Sequence, residues 1–215
     1  MLESRLLAIN EIIQGQSRMK KTQDYRIFPR LECIHVDLDR RTWSKEQGKD
    51  YFYWLMSVKS DRVQVLLDFF KETIDEDRQA FLLRIGKAFT HEVRMRKYWF
   101  QGGEMEIKFR TGHTAVVDRG IVLSDEGYSI AADMGLLVAD VLTRDFPSAI
   151  KWKLLAGARN HINYNCPVLT GEPDCWDPIA VACVNATAMI DNQETSDFWW
   201  RLYSDCEDKA GEDTG

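Results

Sequence analysis

"EMEIKFRTGHTAVVDRGIVL", residues 104–123, is the stretch on which the fold class turns. Met105, Ile107 and Phe109 alternate with Glu104, Glu106, Lys108 and Arg110. Successive side chains of an extended chain point to opposite faces, so a period of two predicts a strand with one wet face. The apolar runs 115–117 and 121–123 flank "DRG", a short connection with glycine where a left-handed conformation is usually needed. The expectation is a three-stranded antiparallel meander over about 104–123.

A further strand is read at about 33–39, inside "ECIHVDLDRR" (32–41), where Ile34, Val36 and Leu38 alternate with His35, Asp37 and Asp39. Pro29 upstream breaks any helix there. The rest of the chain carries the helical period. Leu2, Leu6, Ile9 and Ile13 mark a first helix. Ser44 and Gln47 have the capping-box spacing, which starts a helix at Lys45 whose "YFYWLM" (51–56) is bulky on every side. Ser60 is read as the cap of a separate helix carrying Val63, Leu66, Leu67, Phe70 and Ile74. After the break at 75–78, Leu82, Ile85, Phe89 and Val93 define the next helix, with the helical region closing at Gly102 and Gly103. Ser124 opens another, with a buried stripe of Ile130, Met134, Leu137, Val138, Val141 and Leu142 and Pro147 beyond its end.

"AIKWKLLAG" (149–157) fits helix or strand, and 158–177 is the longest stretch without a pattern, a length of loop that is often functional. Asp177 before Pro178 is a strong helix start for Ile179, Ala182, Cys183, Ala186, Met189 and Ile190. A last helix buries Phe198, Trp199, Leu202 and Cys206. The fold class expected is α+β, a small antiparallel sheet packed against six or seven helices. The domain division expected is one globular unit, 1–206, and a disordered acidic tail, 207–215, that has no apolar anchor larger than alanine.

Composition narrows function mostly by exclusion. No window approaches the 18 or so apolar residues of a membrane span, and the N-terminus, with Glu3 and Arg5, does not resemble a signal peptide. Five cysteines at irregular spacings suit reduced thiols in a cytoplasm better than a disulfide framework. Residues 191–215 hold eight acidic side chains against two basic ones, a balance equal to the whole net charge of -6. A neutral body with an acidic end is a poor match for nucleic acid, whose affinity comes from Lys and Arg on phosphate.

Four clusters carry possible chemistry. His35, Asp37 and Asp39 share one strand face and could hold magnesium or manganese in a hydrolase or nuclease, although a wet strand face looks the same. His161, Cys166, Cys175 and Cys183 offer zinc's preferred atoms without the short paired spacing of structural zinc sites. Arg84, Lys87, His91 and Arg94, with Arg96 and Lys97, form the one basic stripe, a candidate anion or regulatory-partner surface or else the solvated side of a helix. His113, Asp118 and Glu126 could supply an acid/base pair around the hairpin. No nucleophile elbow, Walker loop, dinucleotide glycine pattern or H-E-x-x-H occurs, so neither a cofactor nor an enzyme class is indicated.

Seven tryptophans, with Trp43 close to Tyr51, Tyr53 and Trp54 and Trp199 beside Trp200, suggest rings on a contact surface. The expected function is therefore a cytoplasmic protein that binds a protein partner and acts by occlusion, as an inhibitor or an immunity protein against a basic toxin or enzyme. Its contact residues are expected among Trp43, Asp37, Asp39, Trp200, Asp197 and Asp205, with Arg84, Lys87 and Arg94 kept for an anionic ligand.

Overall fold

The computed structural model describes residues 24–27, 43–100, 105–108, 114–117, 120–155, 163–170, 175–191 and 193–212. Helix α1, Lys45–Phe70, starts where the capping box places it. The Gln47 N–H donates to Ser44 Oγ at 3.2 Å and the Ser44 N–H to Gln47 Oε1 at 2.7 Å. The helix does not restart at Ser60. Its buried positions Tyr51, Leu55, Arg62 and Leu66 keep one helical phase straight through that serine, so a possible capping residue lies in the middle of a single 26-residue helix. It ends at Lys71, which takes the left-handed conformation (φ 56°), while the Lys71 and Glu72 N–H groups close back onto Asp68 and Leu67 carbonyls.

Helix α2, Arg78–Met95, is capped by Asp77, which accepts from the Ala80 N–H at 2.9 Å. Its buried face is Phe81, Leu82, Ile85, Phe89 and Val93. Helix α2 stops at Met95, well before the glycines at 102–103, and the chain turns at Arg96 into strand β1, Lys97–Phe100.

The meander is replaced by a different topology. Strand β2, Met105–Lys108, pairs with β3, Thr114–Val117, while β1 pairs antiparallel with β4, Gly120–Leu123. Register runs from Lys97↔Leu123 to Phe100↔Gly120 and then from Met105↔Val117 to Lys108↔Thr114, so an inner pair is nested within an outer one. Among the described residues, strands β3 and β4 are not partners, which replaces the expected hairpin between them. The alternation around 105–108 identified a strand correctly. It could not say that the partner of the descending arm would be "KYWF".

Helix α3, Asp125–Asp145, is capped by Ser124 Oγ, which accepts from the Gly127 N–H at 3.2 Å. Every residue from Ser129 to Leu142 is buried, so a helix expected to bury one stripe is instead enclosed on all sides. It is the axis of the molecule. Beyond it, β5 (Trp152–Leu154) pairs with β6 (Pro167–Leu169), so the middle of the ambiguous 149–157 stretch is a strand. Part of the expected 158–177 loop is thus a fully buried strand, tied on by Leu169↔Trp176.

Helix α4, Pro178–Ile190, begins at Asp177, whose Oδ1 accepts from the Ile179 and Ala180 N–H groups at 3.0 and 3.1 Å. Helix α5, Phe198–Glu212, extends past residue 207, into the segment expected to lack structure. The final turns carry charged residues, yet they continue a helix whose inner side is held by buried Trp199, Tyr203 and Cys206.

The molecule is α+β, with five helices among the described residues and three two-stranded antiparallel pairs in place of one sheet. The expected number of six or seven helices assumed a break at Ser60 and included the 2–13 helix, which lies outside the described residues, as does the strand at 33–39. Helix α3 packs against α1, α2, α4 and α5, and most extensively against α4. Close approach there requires Gly135, because a Cβ would stand 2.4 Å from the Pro178 carbonyl oxygen. Gly86 plays the same part between α2 and the start of α5, where a Cβ would come within 2.2 Å of the Ser196 carbonyl oxygen.

Candidate functional site

A helix buried all round should carry no charge, yet α3 carries Asp133, Asp140 and Asp145 along the side of its C-terminal half or within its core. Each carboxylate is met by a cation from another part of the fold. Asp133, fully buried, accepts from Arg62 of α1 on both oxygens, Nε to Oδ1 at 2.9 Å and Nη2 to Oδ2, and from Tyr25 Oη at 2.6 Å. Arg62 Nη2 also donates to the Arg26 carbonyl at 2.7 Å. The pair therefore ties residues 24–27 onto the face shared by α1 and α3. Burial pushes the Asp133 carboxyl up to about 6 against the opposing pull of Arg62. Burial, then the adjoining Asp133 carboxylate, raises the Tyr25 hydroxyl above its ordinary value.

Asp140 lies 3.6 Å from Lys59 Nζ and 2.5 Å from Arg144 Nη2. Asp145 takes a two-pronged contact from Arg78, Nε to Oδ2 at 2.6 Å and Nη2 to Oδ1 at 2.9 Å, and a third bond from Tyr203 Oη at 3.0 Å. Arg78 holds the Asp145 carboxyl below the usual carboxylate range, while burial and then Asp145 push the Tyr203 hydroxyl up to about 12. Asp133 has both oxygens engaged and no exposed surface, so it cannot touch a substrate. These assemblies hold helices together.

The expected contact residues separate when placed on this frame. Trp43 is buried, 3% exposed, with its ring edge-on to Tyr51 at 5.2 Å and its carbonyl accepting from Asn165 Nδ2 at 2.8 Å. It is a core residue and not a contact residue. Asp37 and Asp39 lie outside the described residues, with His35. Asp197 lies just before the start of α5, and Trp200 and Asp205 both lie on that helix. There Trp199, Tyr203 and Cys206 point inward, Asp205, Glu207 and Asp208 are exposed, and Trp200 lies half-buried at the boundary, stacked on Tyr203 at 5.8 Å. Arg201 leans back on Glu194 at 2.5 Å and Asp197 at 3.5 Å, which leaves the C-terminal half of that face acidic.

The basic stripe does not form one patch. Arg84 meets Glu72 and Asp75 at 3.4 and 3.5 Å, and Arg94 donates to the Met189 carbonyl at 3.0 Å, near the C-terminus of α4. Arg96 is buried between Glu92 and Glu126. Lys87 and His91 are exposed. Glu126 is thus a partner of Arg96, whereas His113 and Asp118 lie outside the described residues, so the acid/base pairing suggested around the hairpin is not assembled from what is described.

For zinc, Cys166 and Cys183 are buried, His161 lies outside the described residues, and among the described residues no three His, Cys, Asp or Glu side chains converge. Likewise no helix among them is long and apolar enough to cross a membrane.

The sequence carries one trace of the Tyr25–Asp133–Arg62 assembly: Asp133 interrupts "IAADMGLLV" and Arg62 shares the phase of Leu55 and Leu66. A charge inside an apolar stripe demands an opposite charge, and only the tertiary fold says which one. Comparison with family models, with curated proteins and with solved structures returned no match, so the geometry of this chain alone supports any functional reading.

Proposed function

We propose that this chain is a cytoplasmic protein that binds a basic protein partner through the outward face of α5 and acts by occluding it, as an inhibitor or immunity protein does. The carrying observation is the pairing on one helix of a half-buried Trp200 with exposed Asp205, Glu207 and Asp208. A tryptophan already stacked on Tyr203 loses little freedom on contact and offers a large apolar area, the usual centre of a binding hot spot. Carboxylates elsewhere on the same helix attract a cationic surface from a distance and speed capture without being buried. The helix that presents them is fixed from behind by Trp199, which meets Phe89 of α2 at 5.6 Å, and by the Tyr203–Asp145 hydrogen bond. A rigid, charged, aromatic-edged face suits recognition by shape.

The test compares the native chain with Asp205→Lys/Asp208→Lys and with Trp200→Ala in retention of partners from cells of the native source. A partner held one-to-one by the native chain, with an association rate that falls at least about tenfold on charge reversal and also falls with added salt, supports the reading. Equal retention by all three chains, or binding indifferent to salt and to Trp200, overturns it.

A further inference from the structure

Between α1, α3 and the segment that follows α1 lies a half-open cleft of about 340 Å3, at the small end of the roughly 300–1,000 Å3 usual for ligand pockets. We propose that this cleft binds a free apolar α-amino acid. Val63 and Leu67 of α1 are buried side chains that face it, and Ile74 adds to the apolar part of its lining. Asp140 and Arg144 line it from α3, and Glu72 lines it from the segment after α1. An apolar surface, two carboxylates and one guanidinium therefore meet around a space of small-molecule size.

The charges select the ligand. Asp140 is only 9% exposed, and its Oδ2 is buried with no aligned hydrogen-bond donor, although Arg144 Nη2 stands 2.5 Å away. Lys59 reaches toward the other oxygen, at 3.6 Å. Arg144 thus meets the charge of that oxygen without a well-aligned hydrogen bond, and an entering ammonium can take its place with better geometry. Glu72, which Arg84 approaches at 3.4 Å, is a second acceptor in the same cleft.

The Arg144 side chain is 59% exposed, so turning its guanidinium away from Asp140 sacrifices little packing. Once turned, it can fork onto a ligand carboxylate with two parallel hydrogen bonds. A plain amine would leave Arg144 facing a cation, and a plain carboxylic acid would face Asp140 and Glu72. A molecule with both groups satisfies all three residues, and its side chain can lie on Val63 and Leu67.

Calorimetry and thermal melting of the full chain test this with L-leucine, L-phenylalanine, leucinamide and N-acetyl-leucine. The expected result is one-to-one saturable binding of leucine or phenylalanine, with a concentration-dependent rise in Tm. Leucinamide and N-acetyl-leucine should bind at least about tenfold more weakly, a loss of about 1.4 kcal/mol or more. Arg144→Gln should lose amino-acid binding by a similar factor, read against its own unliganded Tm, and Glu72→Gln should lose less. No saturable binding of either amino acid up to about 10 mM, a range that covers weak millimolar sites, overturns the proposal. So does leucinamide binding as well as leucine, which would mark a site for cations, or Arg144→Gln binding leucine as tightly as the native chain.

Discussion

Arg62 and Asp133 meet with 3% and 0% of their side chains exposed, whereas Arg201 and Glu194 meet 2.5 Å apart with 51% and 22% exposed. The contacts are chemically alike. In the core, neither ion can return to water, so each depends on the other, on Tyr25 and on the carbonyl of Arg26 to replace its hydration. On α5, water serves both ions with or without the contact, so the charges there remain available to something outside the molecule. The same two functional groups therefore define the structure in one place and face solvent in the other.

Arg62→Ala should break this contrast most visibly. It strands Asp133 in the core and releases residues 24–27 from α1, with an expected loss of about 3–5 kcal/mol in urea unfolding. Replacing both partners, as Arg62→Met with Asp133→Leu, should restore most of that stability, because the burial cost disappears with the charges. The pH dependence of the single variant sharpens the point. Burial already raises Asp133 to about 6 with Arg62 beside it, and removing the cation raises it further. A carboxyl raised in the folded state contributes stability below its unfolded value and loses it as pH rises through the folded one, so the deficit of Arg62→Ala should shrink as the pH falls from 7 toward 4. A deficit independent of pH would mean that the lost packing of Arg62 and not the stranded carboxylate is responsible.

The Arg78–Asp145 pair lies between the two extremes, with side chains 23% and 18% exposed. Arg78→Gln should cost about 1–2 kcal/mol, more than an exposed pair and less than a buried one. Here the sign of the pH effect is opposite. Arg78 and Tyr203 depress the Asp145 carboxyl, so its stabilising effect is present above the unfolded value near 3.8 and is lost as pH falls through the lower folded value. The native chain should therefore lose more stability than Arg78→Gln below about pH 4, and acid titrations of the two unfolding midpoints should converge. Midpoints that stay parallel would show that Asp145 does not depend on Arg78.

Local signals in the sequence and tertiary pairings fared differently. Ser44 with Gln47, the 75–78 break, Ser124 and Asp177 with Pro178 each start a helix where read, because a cap is a bond between residues two or three apart. Ser60 has the same chemistry as Ser44 and caps nothing, since the burial of Tyr51, Leu55, Arg62 and Leu66 continues past it. Strand β1 is not legible locally, because what fixes it is pairing with residues 120–123, a contact that no window of sequence contains. The acidic charge of α5 is legible from its residue count, whereas the burial of Trp43 is not. Composition says that a tryptophan is large, but only the packing on Tyr51 and Asn165 says which way it points.

The smallest effect falls at the exposed end of the comparison. Arg201→Ala removes the contacts to Glu194 and Asp197, together with a guanidinium 5.9 Å from the Phe198 ring centroid. By number of contacts alone, three partners around one arginine rank it as a major anchor. Each contact is made in water, however, where holding two long side chains together costs about as much as their attraction returns. Stability should therefore change by no more than about 0.5 kcal/mol, with the urea midpoint nearly unmoved. A loss approaching that of Arg62→Ala would mean that the start of α5 is pinned by its charges and not by Trp199 and Tyr203. In that event, the face bearing Asp205 and Asp208 would owe its shape to ions that a basic partner would compete for.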